Sequence, residues 1–120
     1  MKVLITGGTG RVGSAATKRL VAKGWDVNVI GAEPESTIAG ITYFHCDIMD
    51  YDAVYHAAAG CEAIVHLAAI PSPRSHPLHE MFTINVAGTN VVFDVAARAG
   101  IKRVVQASSI NALGCAWNIE

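Results

Sequence analysis

Eight residues near the N-terminus, Thr6-Gly7-Gly8-Thr9-Gly10-Arg11-Val12-Gly13, have the types and spacing to hold a pyrophosphate. They satisfy G-x-G-x-x-G through Gly8, Gly10 and Gly13, and T-G-x-x-G-x-x-G through Gly7, Gly10 and Gly13. Glycine at 7 lets the chain turn sharply out of a strand, glycine at 10 lets backbone approach a phosphate, and glycine at 13 lets a helix pack closely on a sheet. A helix starting at Arg11 adds unpaired amides and a positive dipole end. The pattern predicts dinucleotide binding by Gly7, Gly10, Arg11, Val12 and Gly13, against the alternative of a purely structural glycine turn. A Walker-type phosphate loop needs Lys and Ser or Thr directly after its last glycine, but Gly13 is followed by Ser14-Ala15.

Other chemistry-bearing groups point to no second site. His76, His79 and Glu80 cross a proline-bounded helix start without the i, i+4 spacing of H-E-x-x-H, so they read as solvated side chains and no metal is expected. No G-x-S-x-G is present for a Ser-His-Asp hydrolase. Cys46, Cys61 and Cys115 form no C-x-x-C pair, which fits reduced thiols in a cytoplasmic protein. His66 reads as a packed strand residue rather than a base.

The elements that must position the glycine loop follow from the apolar pattern. Strands are expected at Lys2–Thr6, Asp26–Ile30, Ile41–Cys46, Ala63–Leu67 and Arg103–Ala107. Helices are expected at 11–23, with Val12, Ala16 and Leu20 on one face, at Asp50–Ala59, and as one long helix from Leu78 to Ala99. Ser108 to Glu120 has no clear period. Strands alternating with helices predict an α/β, Rossmann-type doubly wound parallel sheet in the order 3-2-1-4-5, with its ligand crevice where Thr6 and Leu67 end.

Length and composition bound the function. A chain of 120 residues is one domain, expected to be a dinucleotide-binding unit with no room for a separate substrate domain. With 52% hydrophobic and 16% charged residues it is globular, and a formal charge of −1 gives no footprint for nucleic acid or an anionic membrane. No run approaches the roughly 20 apolar residues of a membrane helix. The short apolar start leads straight into glycines, unlike a signal peptide.

With the glycine loop, Asp47, His66-Leu67-Ala68-Ala69, Asn85-Val86-Ala87-Gly88-Thr89 and Ser108-Ser109 in this order, the chain resembles the extended short-chain dehydrogenase/reductases. Among these it looks most similar to the NAD-dependent epimerase/dehydratase group acting on nucleotide sugars and related sugars. The resemblance implies NAD or NADP as cofactor, with a lean to NAD, and a sugar-like hydroxyl substrate oxidised by hydride transfer. A non-catalytic NAD(P)-binding module is the alternative. By the same resemblance Asp47, with neighbouring Ile48, meets the adenine; otherwise Asp47 is an N-cap for the helix near Asp50. Leu67, Ala68 and Ala69 line the nicotinamide-ribose side, and Asn85 helps order the active site.

The resemblance also implies that Ser109, five residues before Gly114, hydrogen-bonds the substrate oxygen, with Ser108 as backup. Two departures stand out. Where NAD-preferring members end the second strand in Asp this chain has Gly31, so Glu33 is the substitute ribose acceptor, unless Arg11 meets a 2′-phosphate. The family's Tyr-x-x-x-Lys is absent: Tyr43, Tyr51 and Tyr55 are followed four residues on by Asp47, Tyr55 and Ala59. A truncated unit is therefore expected, unable to turn over alone. Its edge at Val104-Val105 and the helix face of Phe82, Val86 and Phe93 would be left open for a homo-oligomer.

Overall fold

Short β-branched runs interrupted by glycine build the sheet. In the computed structural model, which describes residues 1–72 and 75–109, the strands are β1 (Lys2–Thr6), β2 (Asp26–Gly31), β3 (Ile41–His45), β4 (Ala63–His66) and β5 (Val104–Gln106). They pair in parallel in the order β3-β2-β1-β4-β5, as expected. Leu4 stands beside both Asn28 and Ile64, and Ile64 beside Val104. Because side chains alternate across a strand, this register sorts the core into two layers. Leu4, Ile30 and Ile64 face one way, and Val3, Ile5, Val27 and Val29 the other.

The second layer packs on α1 (Arg11–Ala22), through Leu20 and Val21. The first packs on α2 (Tyr51–Ala57) and α4 (Gly88–Arg98), through Val54, Ala57, Val92, Val95 and Ala96. The α1 seam differs from the expected Val12-Ala16-Leu20 face. Gly13 and Thr17 are the residues it buries, while Val12 is 67% exposed. The helix start lies so close to the glycine loop that only a residue without Cβ fits at 13, and the Thr17 hydroxyl donates to Gly8 O at 3.0 Å.

The expected single helix over Leu78–Ala99 is also corrected. It consists of α3 (Leu78–Phe82), a π-helical turn at Thr83–Ala87, and α4. Two hydroxyls bond back to the preceding turn, Thr83 to His79 O at 2.9 Å and Thr89 to Asn85 O at 2.7 Å, an arrangement that bends helices. A Cβ at Gly88 would lie 2.8 Å from Ile48 Cγ2, so the helix is pressed there against the loop after β3. Both anchors fix where the wide turn falls, and π turns of this kind concentrate at functional sites.

Leu78, Phe82, Val86 and Phe93 are exposed along this helix, as is Val105 on the edge strand. Among the described residues no helix is long and apolar enough to cross a membrane.

Candidate functional site

Where β1 ends, Gly7 takes φ +67°, and its N–H donates to Ile30 O at 2.8 Å, tying the loop to β2. A Cβ on Gly7 would lie 2.8 Å from Ala68 N and Cα, and one on Gly13 would overlap the Gly7 carbonyl oxygen. The protein itself therefore demands glycine at 7 and 13. Gly10 is different: its φ is ordinary, and a Cβ there would meet one atom, Gly7 O, at 3.3 Å. That single tight contact makes the fold far less demanding of glycine at 10 than at 7 or 13, and Gly10 presents its bare backbone to the crevice.

Gly10 caps α1 without a side-chain bond, and no acidic residue lies in the first turn. Ser14 N–H makes the first bond back, to Gly10 O at 2.8 Å, which leaves the amides of Arg11, Val12 and Gly13 before the first intrahelical bond. Amides and dipole at such an end suit an anion.

Above this end opens a cleft of about 710 Å³ at the carboxyl ends of the strands. The structure brings Gly7, Gly10, Glu33 and Asp47 into its lining, together with Ile48, Leu67, Ala68 and Ala69. Arg11, Val12 and Gly13 lie outside that lining, Gly13 buried beneath the loop and the other two exposed. Ser108 and Ser109 follow β5, exposed and also outside it; Gly114, which fixed their spacing, lies outside the described residues.

Glu33 lies beside Gly31 at the end of β2. Its carboxylate accepts from the Thr9 hydroxyl at 2.6 Å, and its own carbonyl accepts from the Tyr43 hydroxyl at 2.6 Å. A Cβ on Gly31 would lie 3.0 Å from that carboxylate. Glu33 thus occupies the space beside the end of β2 that a side chain at 31 would enter. The Thr9 bond holds the carboxyl below its usual range. Asp47 accepts from Met49 N–H at 2.9 Å, and the N-cap of α2 is Asp50, which accepts from Ala53 N–H at 3.1 Å. The capping alternative for Asp47 is corrected accordingly.

On the other wall, Asn85 holds the loop after β4. Its Oδ1 accepts from Ile70 N–H at 2.7 Å, and its Nδ2 donates to Ile70 O at 3.0 Å. Both ends of the amide are used, so Asn85 positions the wall and lies outside the lining. His66 is 3% exposed, and burial pushes its pKa down. It links Thr6 Oγ1, at 2.6 Å from Nδ1, with Thr89 Oγ1, at 2.9 Å from Nε2. The sequence pattern missed His76, Glu80 and Thr83, which also line the cleft, because no local signal predicts which turn of a helix faces a distant loop.

A family model described as "NAD dependent epimerase/dehydratase family" matches residues 3–116. The chain belongs to this family. Within it, "Sterol demethylase protein B" of Methylococcus capsulatus is 33% identical over 95% of this chain and 36% of that protein. "NAD-dependent glucose-6-phosphate dehydrogenase" of Haloferax volcanii is 32% identical over 93% of this chain and 44% of its own length. Among solved structures, a uronate dehydrogenase from Agrobacterium tumefaciens complexed with NAD superposes with a TM-score of 0.80 at 28% identity, covering 90% of this chain and 40% of that one. MoeE5 in complex with UDP-glucuronic acid and NAD gives 0.82 at 27%, covering 91% and 37%. The chain thus spans 36–44% of the length of these curated relatives.

Proposed function

We propose that these 120 residues form the NAD-binding part of an epimerase/dehydratase-family enzyme that oxidises a hydroxyl of a sugar-like substrate. The observation that carries the reading is Gly10: a glycine the fold demands less than Gly7 or Gly13, at a helix start with unused amides, facing a cleft of about 710 Å³. The solved relatives with bound NAD support the choice of dinucleotide.

The roles follow from position. The amides of Arg11, Val12 and Gly13 hold the pyrophosphate, and Gly7 and Gly10 keep side chains out of its way. Glu33, kept anionic by Thr9, accepts from the ribose hydroxyls and repels a 2′-phosphate, which favours NAD over NADP. Asp47 and Ile48 meet the adenine, and Leu67, Ala68 and Ala69 the nicotinamide-ribose. When bound, the nicotinamide ring supplies a hydride acceptor. Ser109, with Ser108 as backup, bonds the substrate oxygen, and Asn85 positions the cleft wall. No tyrosine here has lysine four residues on, so the reading assigns binding to these residues and turnover to the whole protein.

Calorimetric titration with NAD and NADP tests this: NAD binding saturably and more tightly than NADP is expected. Absence of binding by either would overturn it. We also propose that a second copy of the chain covers the stripe of Leu78, Phe82, Val86 and Phe93, since one apolar helix face can meet itself across a twofold axis. Light scattering should give a dimer that Val86→Lys disrupts, and a monomer at all concentrations would count against it. Two of the cysteines, Cys46 and Cys61, are free thiols, which supports a cytoplasmic setting.

A further inference from the structure

The buried polar contacts around His66 admit one consistent assignment of protons. Thr89 Oγ1 donates to Asn85 O at 2.7 Å, so towards His66 Nε2, at 2.9 Å, it can only accept. Nε2 therefore carries the ring proton. Nδ1 is then an acceptor, and takes the Thr6 hydroxyl proton at 2.6 Å. With its proton so used, Thr6 Oγ1 accepts from Ala68 N–H at 3.3 Å. The chain of donation runs from Ala68 N–H through Thr6 to His66, and from His66 through Thr89 to the π turn. The Nδ1–H tautomer would leave the Thr6 hydroxyl proton without an acceptor among the described contacts and take the Thr89 proton from Asn85 O. A protonated ring would likewise leave the Thr6 hydroxyl proton without an acceptor among the described contacts.

One end of this relay, Ala68, lines the cleft, and the other, Asn85, holds its wall. Ala68 lies against Gly7 so closely that a Cβ there would stand 2.8 Å from its N and Cα. Asn85, whose carbonyl ends the relay, clamps Ile70 through both ends of its amide. The segment between His66 and Ile70, which forms one wall of the cleft, is thus held at both ends by groups that His66 connects.

We propose that His66 is a positioning residue, an Nε2–H imidazole that sets the wall of Ala68 to Ile70 against the glycine loop and so sets dinucleotide affinity. Burial alone accounts for the depressed basicity of the ring: no charged side chain among the described residues shifts it from β1, β5 or α4. The proposal rests on the NAD-binding reading for its effect on affinity and stands apart from that reading for its tautomer.

Two measurements separate them. Long-range 1H–15N correlation on the labelled chain should show a pyrrole-type Nε2 and a pyridine-type Nδ1 at His66 at about pH 8, with any protonation displaced below the ordinary histidine value. An Nδ1–H ring, or titration at the ordinary histidine value, would overturn the proposal whether or not NAD binds. In calorimetry with NAD, Thr89→Val, which strips the acceptor from Nε2, should weaken binding roughly three- to tenfold. Thr89→Ser, which restores the hydroxyl, should recover it. Thr89→Val binding NAD as tightly as the wild type would also refute the role of His66, whereas a wild type that binds no NAD but shows the Nε2–H ring would sink the binding reading and leave the relay.

Discussion

Gly10 and Gly13 are three residues apart in one motif, yet the structure gives them separable tasks that alanine can distinguish. At Gly10, φ −66° and ψ 178° suit alanine, and the added Cβ meets only Gly7 O at 3.3 Å. An N-cap alanine costs about 0.5–1 kcal/mol relative to glycine, and the stiffer unfolded chain offsets about 0.4–1 kcal/mol. Stability of Gly10→Ala should therefore stay within about 1 kcal/mol of wild type. At Gly13 the Cβ overlaps Gly7 O and stands 2.8 Å from Gly7 C and Gly8 Cα, all backbone that cannot rotate aside. Overpacking of about 3 kcal/mol, less about 1 kcal/mol of helix propensity, leaves roughly 2 kcal/mol of destabilisation. At about 4 °C per kcal/mol for a domain of this size, Tm should fall by roughly 8 °C. NAD affinity should behave the other way: the methyl at 10 fills the approach to the phosphates and should cost at least about tenfold, or 1.4 kcal/mol. Thermal melts and calorimetry on both variants read the two effects. Equal losses of Tm in the two variants, or a Gly10→Ala protein that binds NAD like the wild type, would refute the division of labour.

Glu33→Gln removes the anion that Thr9 holds, so the preference for NAD over NADP should narrow in paired titrations; an unchanged ratio would take Glu33 out of the ribose subsite. Gly31→Asp supplies the residue usual at the end of β2, but its Cβ would stand 2.5 Å from the Tyr43 hydroxyl and 2.8 Å from that of Thr9. A loss of about 1–3 kcal/mol in urea denaturation is expected, with no gain in NAD affinity; tighter binding would show that Glu33 does not fill the acceptor position. His66 has a folded pKa below its usual 6.5, so the fold prefers the neutral ring. Its contribution should be complete above pH 6.5 and decline as pH falls through the lowered folded value. Denaturation curves across that window should steepen less with acid in His66→Gln, and an identical slope would remove His66 as the titrating group.

Much of this architecture was legible because its signals are local. Gly7 must turn the chain, β-branched runs flank it, and each parallel crossover needs a helix, so strand order followed from the alternation of strands and helices, and the crevice from where Thr6 and Leu67 end. The errors share one cause: periodicity counts the apolar side chains of one segment, and the contacts that set these elements apart are made by that segment's glycines and polar groups. The α1 seam rests on Gly13 and Thr17, one with no side chain and one that is polar, so Val12 was placed on the wrong face. The long helix changes pitch over Thr83–Ala87, where Asn85 is held through both ends of its amide by Ile70, fifteen residues back, and Gly88 abuts Ile48 just beyond. A helix pattern read by period cannot contain either partner.

The same limit explains the split within the site. Gly7, Gly10 and Asp47 lie on tight loops directly after strands, where chain direction alone delivers them to the crevice. His66 reads in sequence as one more residue of an apolar strand, and what it does depends on Thr6, 60 residues away, and Thr89, 23 residues away. Its isolation from charge and its two hydroxyl partners are properties of the folded sheet, so a neutral ring at that position is a consequence of topology that no spacing within the strand encodes.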